Sequence, residues 1–164
     1  MKGFKLFFLT LIAFMFIGCQ DDTHKEGMHK VHWDRDMCER CKMVVSERKF
    51  AVQVIDKHDK AHMYDDIGCA LIWFKEEKQD WLGEAKIWIN DAISGEWIDA
   101  KKADYAVGNL TPMGYGVSAY SKKTFPEGMT KLNFKEASKV IYDIDEEQQR
   151  RRAQIRAQRA ENEK

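Results

Sequence analysis

The sequence predicts an α+β fold, built as two small, similar ββαβ halves packed together, with a disordered N-terminal tether and a charged C-terminal helical tail. Three observations carry this expectation. Short runs at 50–55, 86–90 and 115–120 are rich in β-favouring residues, the first alternating as a half-buried strand does. Ile67, Leu71 and Phe74 fall at i, i+4 and i+7, which places them on one face of a helix. Asn133 followed three residues later by Glu136 is a capping-box pattern, and it opens a second helical stretch.

The chain has 164 residues with 27 basic and 27 acidic side chains. It opens with a positively charged start, Lys2 and Lys5, and an uncharged run over 6–17. That run is too short to span a bilayer comfortably, which takes about 20 apolar residues. It ends in Ile17, Gly18 and Cys19, the pattern of a bacterial lipoprotein cleavage site, so residues 1–18 are expected to be a signal peptide and Cys19 the acylated first residue. Several acyl chains on that cysteine would give stable membrane anchoring. The plainer alternatives are an uncleaved membrane helix, or a secretory signal with an incidental cysteine. Cleavage removes two of the 27 basic residues and none of the 27 acidic ones, leaving a formal charge of −2. Nucleic-acid binding needs a clustered basic surface, and this balance gives it no support.

Residues 19–35 are polar, carry His24, His29 and His32, and lack apolar periodicity, so they read as the tether. The globular part is expected over 36–144, with halves at about 36–92 and 93–144. In the first half the strand at 50–55 turns through 56–60 and returns at 61–64. Asp65 or Asp66 can then cap the helix that contains Ile67, Cys69, Leu71 and Phe74. Lys86-Ile87-Trp88-Ile89-Asn90 follows as a strand. The second half repeats the plan faintly, with strands near 95–99 and 115–120 and a helix after Asn133 that buries Phe134, Ala137, Ile141 and Ile144. Residues 145–164 hold eleven charges in twenty positions and no apolar stripe, the composition of a solvated helical tail.

The chemistry concentrates in Cys38-Glu39-Arg40-Cys41-Lys42-Met43. Thiolate and thioether are soft donors, and softness selects Cu(I) over hard cations. A Cys-x-x-Cys alone is equally a redox dithiol or half a zinc site. Met43 shifts the balance towards copper, since zinc sites rarely recruit a thioether. The bland alternative is a Cys38–Cys41 disulfide with Met43 as core filler. Met113, held between Pro112 and Gly114 in a turn, is a candidate distant ligand or else a hydrophobic plug. Cys69 reads as a buried small hydrophobe on the helix face. His58 and His62 flank a hairpin turn, where surface histidine is common. No Gly-x-Ser-x-Gly, His-Glu-x-x-His or phosphate-cradling loop occurs, so no enzyme activity is expected.

With those residues in place the chain resembles the NosL family of nitrous-oxide-reductase accessory lipoproteins. The resemblance rests on the lipoprotein start, Cys38-Glu39-Arg40-Cys41-Lys42-Met43, Tyr64-Asp65-Asp66-Ile67-Gly68-Cys69, Trp97-Ile98-Asp99-Ala100 and Pro112-Met113-Gly114. It implies a periplasm-facing Cu(I) chaperone, anchored to the inner or outer membrane through Cys19. Its fold would be a pair of ββαβ halves, and it would deliver copper towards nitrous oxide reductase with an ABC-type maturation complex. Cys41 and Met43 carry over as core ligands and Met113 as the distant third, while Cys38 is a ligand, a redox partner of Cys41, or neither. Many relatives have Gly where this chain has Lys42. The chain is expected to act as a monomer. A competing expectation is thiol–disulfide exchange by Cys38 and Cys41 on a client's copper-ligating cysteines.

Overall fold

The computed structural model describes residues 27–163. The proposed signal peptide and Cys19 lie outside the described residues. Within them the chain folds as α+β, with two antiparallel sheets and two helices.

Four strands make the larger sheet: β1 (Val52–Ile55), β2 (Ala61–Tyr64), β3 (Lys86–Asn90) and β4 (Trp97–Asp99), in the order β2-β1-β3-β4. The β1–β2 hairpin pairs Val52 with Tyr64 and Ile55 with Ala61. Its turn is fixed by Asp56, whose Oδ1 accepts from the N–H of His58 at 2.7 Å and of Lys60 at 3.0 Å. An aspartate side chain that mimics a backbone turn in this way sets the register of the two strands. Helix α1 (Ile67–Glu76) follows β2 directly and packs on the sheet. The first half is therefore ββαβ, as its periodicity indicates.

The second half departs from that plan. Its first strand, β4, pairs with β3 and so belongs to the first sheet. A strand the periodicity does not mark, β5 (Asp104–Val107), pairs antiparallel with β6 (Val117–Tyr120) in a separate two-stranded sheet. Three residues of Asp104-Tyr105-Ala106-Val107 are apolar or aromatic, yet the run is too short to show a period. Helix α2 then runs unbroken over Phe134–Asn162. Asn133 and Glu136 form the expected capping box, with the Glu136 N–H donating to Asn133 Oδ1 at 3.0 Å and the Asn133 N–H to Glu136 Oε2 at 2.8 Å. Buried Ala137, Ser138, Ile141 and Asp145 seat the first turns of α2, while 149–163 is exposed.

One main core spans both halves. Leu71, Ile72 and Ile67 of α1 pack with Val52, Val54 and Ile89 of the sheet, and with Tyr105, Tyr115 and Ile141 from the second half. Each such fully buried side chain contributes about 1.5–3 kcal/mol of transfer free energy. The halves are therefore not separable units.

The described end of the expected tether is packed. Met28, Val31 and Trp33 lean on the main core, and Trp33 stacks on Trp97 at 6.1 Å. Gln53 is fully buried and exchanges two hydrogen bonds with the His29 backbone, at 2.8 and 3.0 Å. Polar composition hid this contact because a buried glutamine, rather than an apolar stripe, provides it. Among the described residues no helix is long and apolar enough to cross a membrane.

Candidate metal site

Residues 36–45 form a tight hairpin. Met37 and Val44 bridge as antiparallel partners, and the Cys38 N–H donates to the Met43 carbonyl at 2.8 Å. Closing so short a turn puts Lys42 in the left-handed region, at φ +60°. That backbone explains why glycine suits this position, since only glycine occupies it without Cβ strain. The Lys42 side chain is exposed.

Two contacts press the hairpin onto the core. The Glu39 N–H donates to the Met63 carbonyl of β2 at 2.9 Å. Arg40 reaches across the molecule: its guanidinium forks onto Glu76 at 2.9 and 2.8 Å, donates to the Tyr115 hydroxyl at 2.9 Å and lies 3.6 Å from Asp145. One side chain thus joins the cysteine hairpin to the end of α1, the second half and α2. The bidentate fork fixes direction as well as distance.

This docking brings Cys38 and Cys41 against the start of α1. Their sulfurs, the Cys69 sulfur and an Asp65 carboxylate oxygen all lie within 4.8 Å of one another. Cys38, Cys69 and Asp65 are buried, and Cys41 stands partly exposed at the opening. All three cysteines are free thiols. The Cys41 thiol donates to Asp65 Oδ2 at 3.3 Å, while Asp65 Oδ1 is buried with no hydrogen-bond partner. An orphaned carboxylate oxygen beside three thiols is a group that a cation could satisfy.

The adjacent aspartates divide two tasks. Asp66 is the helix cap, its Oδ1 accepting from the Gly68 N–H at 2.7 Å, and Asp65 is thereby free to face the sulfurs. Asp66 Oδ2 also accepts from the Met113 N–H at 3.4 Å, which ties the Thr111–Gly114 turn of the second half to the same helix start. Burial raises the Asp66 pKa, against the hydrogen bonds from Thr111, Gly68 and Met113 that favour its charge.

The electrostatics set the three thiols apart. The hydrogen bond from the Cys69 thiol lowers Cys38 to about 7; the N–H groups of Cys41 and Asp65 add to this and burial opposes it. Cys69 is pushed up, chiefly because its proton serves Cys38. Burial pushes Cys41 up to about 12. Backbone N–H groups at the α1 N-terminus also favour anions here.

Of the residues singled out from sequence, Cys38 and Cys41 therefore enter the cluster. Met43 is on the same hairpin and about half exposed. Met113 is partly buried against the core that contains Cys38 and Cys69. Cys69, read as a small core hydrophobe, is fully buried but stands among the sulfurs, because it falls in the first turn of α1. The available signals were the odd third cysteine and a second aspartate where one suffices for capping.

His62, read as a surface histidine, is buried. It lies on β2 between Glu39, 3.0 Å from Nδ1, and Asp56, 3.4 Å from Nε2, against the rings of Trp73 and Trp81. Carboxylates at both nitrogens make its burial tolerable. His58 is exposed as expected.

The fold has a solved counterpart. The crystal structure of the copper chaperone NosL from Shewanella denitrificans matches 68% of this chain and 96% of its own length, with a TM-score of 0.51 and 17% identity. The two chains share a fold. No protein-family model and no curated protein sequence matches this one. The likeness to NosL thus stands at the level of architecture, beside a Cys/Asp cluster able to hold a metal ion.

Proposed function

We propose that this chain is a Cu(I) carrier: a periplasm-facing lipoprotein, anchored through Cys19, that delivers copper for assembly of a copper enzyme, with nitrous oxide reductase as the client. The observation that carries the reading is the convergence of the Cys38, Cys41 and Cys69 sulfurs beside Asp65. Cu(I) has a filled d shell and accepts two or three soft donors without strict geometry, which such a cluster offers. Partial exposure of Cys41, with Met43 half exposed two residues on, gives the ion a route of soft donors from solvent to the buried sulfurs. In this reading copper is cargo, and no turnover is assigned.

The NosL-like architecture supports the proposal, as do this chain's lipoprotein-type start and its Cys41-Lys42-Met43 element, on which its resemblance to that family partly rests. The ABC-type maturation complex as partner, and the monomeric state, belong to the same proposal. Thiol–disulfide exchange fits less well. An exchange nucleophile must be both ionised and accessible. Here Cys38, the thiol lowered to about 7, is fully buried, whereas the accessible Cys41 is raised to about 12.

The test is competition for Cu(I) between the reduced protein and a colourless-to-coloured Cu(I) chelator. Cys41→Ser is expected to abolish tight binding, because a hydroxyl is a hard and poorly ionised substitute for a thiolate. Equal affinity in wild type and Cys41→Ser would defeat the copper assignment.

A further inference from the structure

Helix α2 outruns the body it packs on. Ala137, Ile141 and Asp145 seat its first turns, and from there it projects about 25 Å past its last buried residue. The projecting part holds Arg150, Arg151, Arg152, Arg156 and Arg159. Arg151 pairs with Glu147 at 3.0 Å, and among the described residues no carboxylate pairs with the other four arginines.

The basic side chains are ordered around the helix. Ile141, Asp145, Gln148, Arg152, Ile155 and Arg159 are spaced alternately by four and three, which sets them on one stripe. The stripe that faces the core at Ile141 and Asp145 is therefore basic beyond Gln148, with Ile155, 44% exposed, in its middle. Arg156 flanks it. Arg152 and Arg156 are like charges at i,i+4, which weakens a helix unless an anion comes between them. The stripe borders a groove of about 390 Å³, which Gln148, Arg152 and Ile155 line together with Ile144 and Met113.

We propose that this groove and its arginine stripe dock an acidic polypeptide segment of a partner protein, one that intersperses apolar residues among its carboxylates. Guanidinium forks take the carboxylates, and Met113, Ile144 and Ile155 receive an apolar side chain. This names the kind of partner the proposed copper carrier meets, and it rests on that reading only for the partner's role. The Met113 N–H donates to Asp66 at the start of α1, so a docked segment lies beside a turn that is joined to the sulfur site.

Charge and shape separate the possible occupants. A second copy of α2 offers the stripe no free carboxylate: Asp145 is buried, and Glu147, Asp143 and Glu146 pair with Arg151, Lys139 and Lys75. The body stands on the stripe side of the helix, so a flat anionic lipid surface would meet the outer face. There Arg150, Gln154, Ala157 and Glu161 share the opposite stripe, one arginine against one glutamate.

The probe is a fluorescein-labelled glutamate peptide interrupted by leucines, followed by anisotropy on the reduced, metal-free, full-length protein in neutral detergent. Wild type is expected to bind it, more weakly as salt rises, and to bind its glutamine counterpart at least about tenfold less tightly. Arg152→Glu should weaken binding by about tenfold and Ile155→Ser by about threefold. Arg150→Glu makes the same change of net charge on the outer face and should stay within about threefold of wild type. Equal losses in Arg150→Glu and Arg152→Glu would overturn the proposal, and so would no binding by wild type. A wild-type dimer that Arg152→Glu dissolves would give the groove to a second copy. Displacement of the peptide by phosphatidylglycerol added to the micelles, but not by phosphatidylcholine, would give it to lipid. Either result overturns the proposal as well. Chelator competition for Cu(I) on the same samples keeps the two readings apart, since Arg152→Glu should leave Cu(I) affinity within about threefold. Tight Cu(I) without peptide binding removes the docking groove and leaves the copper carrier standing, and the reverse result does the opposite.

Discussion

Lys42 shows how one residue carries the cost of a turn. Its φ of +60° is what closes the cysteine hairpin, and an L side chain there costs about 1–2 kcal/mol of local strain. Lys42→Gly removes that strain and adds about 0.5–1 kcal/mol of backbone entropy to the unfolded chain. The net change in stability should therefore lie within about 1 kcal/mol. Lys42→Val, β-branched at a left-handed position, should destabilise clearly. Denaturant melts of the two variants check the difference. The exposed lysine charge is screened by solvent and salt, so Lys42→Gly should leave Cu(I) affinity nearly unchanged. The hairpin's residue types were legible in the sequence as a sulfur-rich segment. Its docking was not, because the contacts that orient it run from Arg40 to Glu76, Tyr115 and Asp145, the last more than a hundred positions away. Long-range ion pairs leave no local period to read.

At the scale of elements, the start of α1 is the junction on which the site depends. Gly68 follows the first residue of that helix, and Tyr115 lies flat against it: a Cβ at this position would stand 2.1 Å from the Tyr115 ring. The glycine is required by close approach, since its φ is not in the left-handed region. Gly68→Ala should cost at least about 1–3 kcal/mol, because an aromatic ring wedged in the core cannot step aside. It should also displace the Tyr115 hydroxyl from Arg40 and Asp145. A lowered denaturant midpoint together with weakened metal binding is the expected outcome. An unchanged midpoint would mean that Tyr115 does not brace the hairpin. Helix α1 itself was legible from Ile67, Leu71 and Phe74. The placing of Cys69 among the sulfurs was not, because a cysteine in an apolar first turn reads the same whether it faces a core or a metal.

Across the whole molecule, the two halves are joined by buried polar groups as well as by a shared core. Asp91 follows β3 and is fully buried. Its Oδ1 accepts from the N–H of Ile93 at 2.9 Å and Ser94 at 3.0 Å. Its Oδ2 reaches the second half, accepting from the Ser121 N–H at 2.8 Å and the Thr124 hydroxyl. Burial opposes the charge, but these donors outweigh it and hold Asp91 at about 2. A carboxylate lowered in the folded state contributes stability above its unfolded pKa and loses it as pH falls through the folded value. The protein should therefore lose stability between about pH 4 and pH 2, and Asp91→Asn should flatten that part of the acid titration. Melting temperature followed against pH is the measurement. The α+β class was readable from periodicity alone. The unequal halves were not, since β4 leaves its own half to pair with β3 and β5 is too short to announce itself.

The central claim is that the sulfurs gathered at the α1 N-terminus hold Cu(I), and the copper K-edge of the reduced, Cu(I)-loaded protein tests it most directly. Sulfur-dominated coordination with three short sulfur scatterers is predicted for the wild type. Met113→Leu keeps most of the apolar volume while removing a sulfur, and so reads whether that thioether is among them. A shell dominated by nitrogen or oxygen, or a sulfur shell unchanged by Cys41→Ser, would contradict the account.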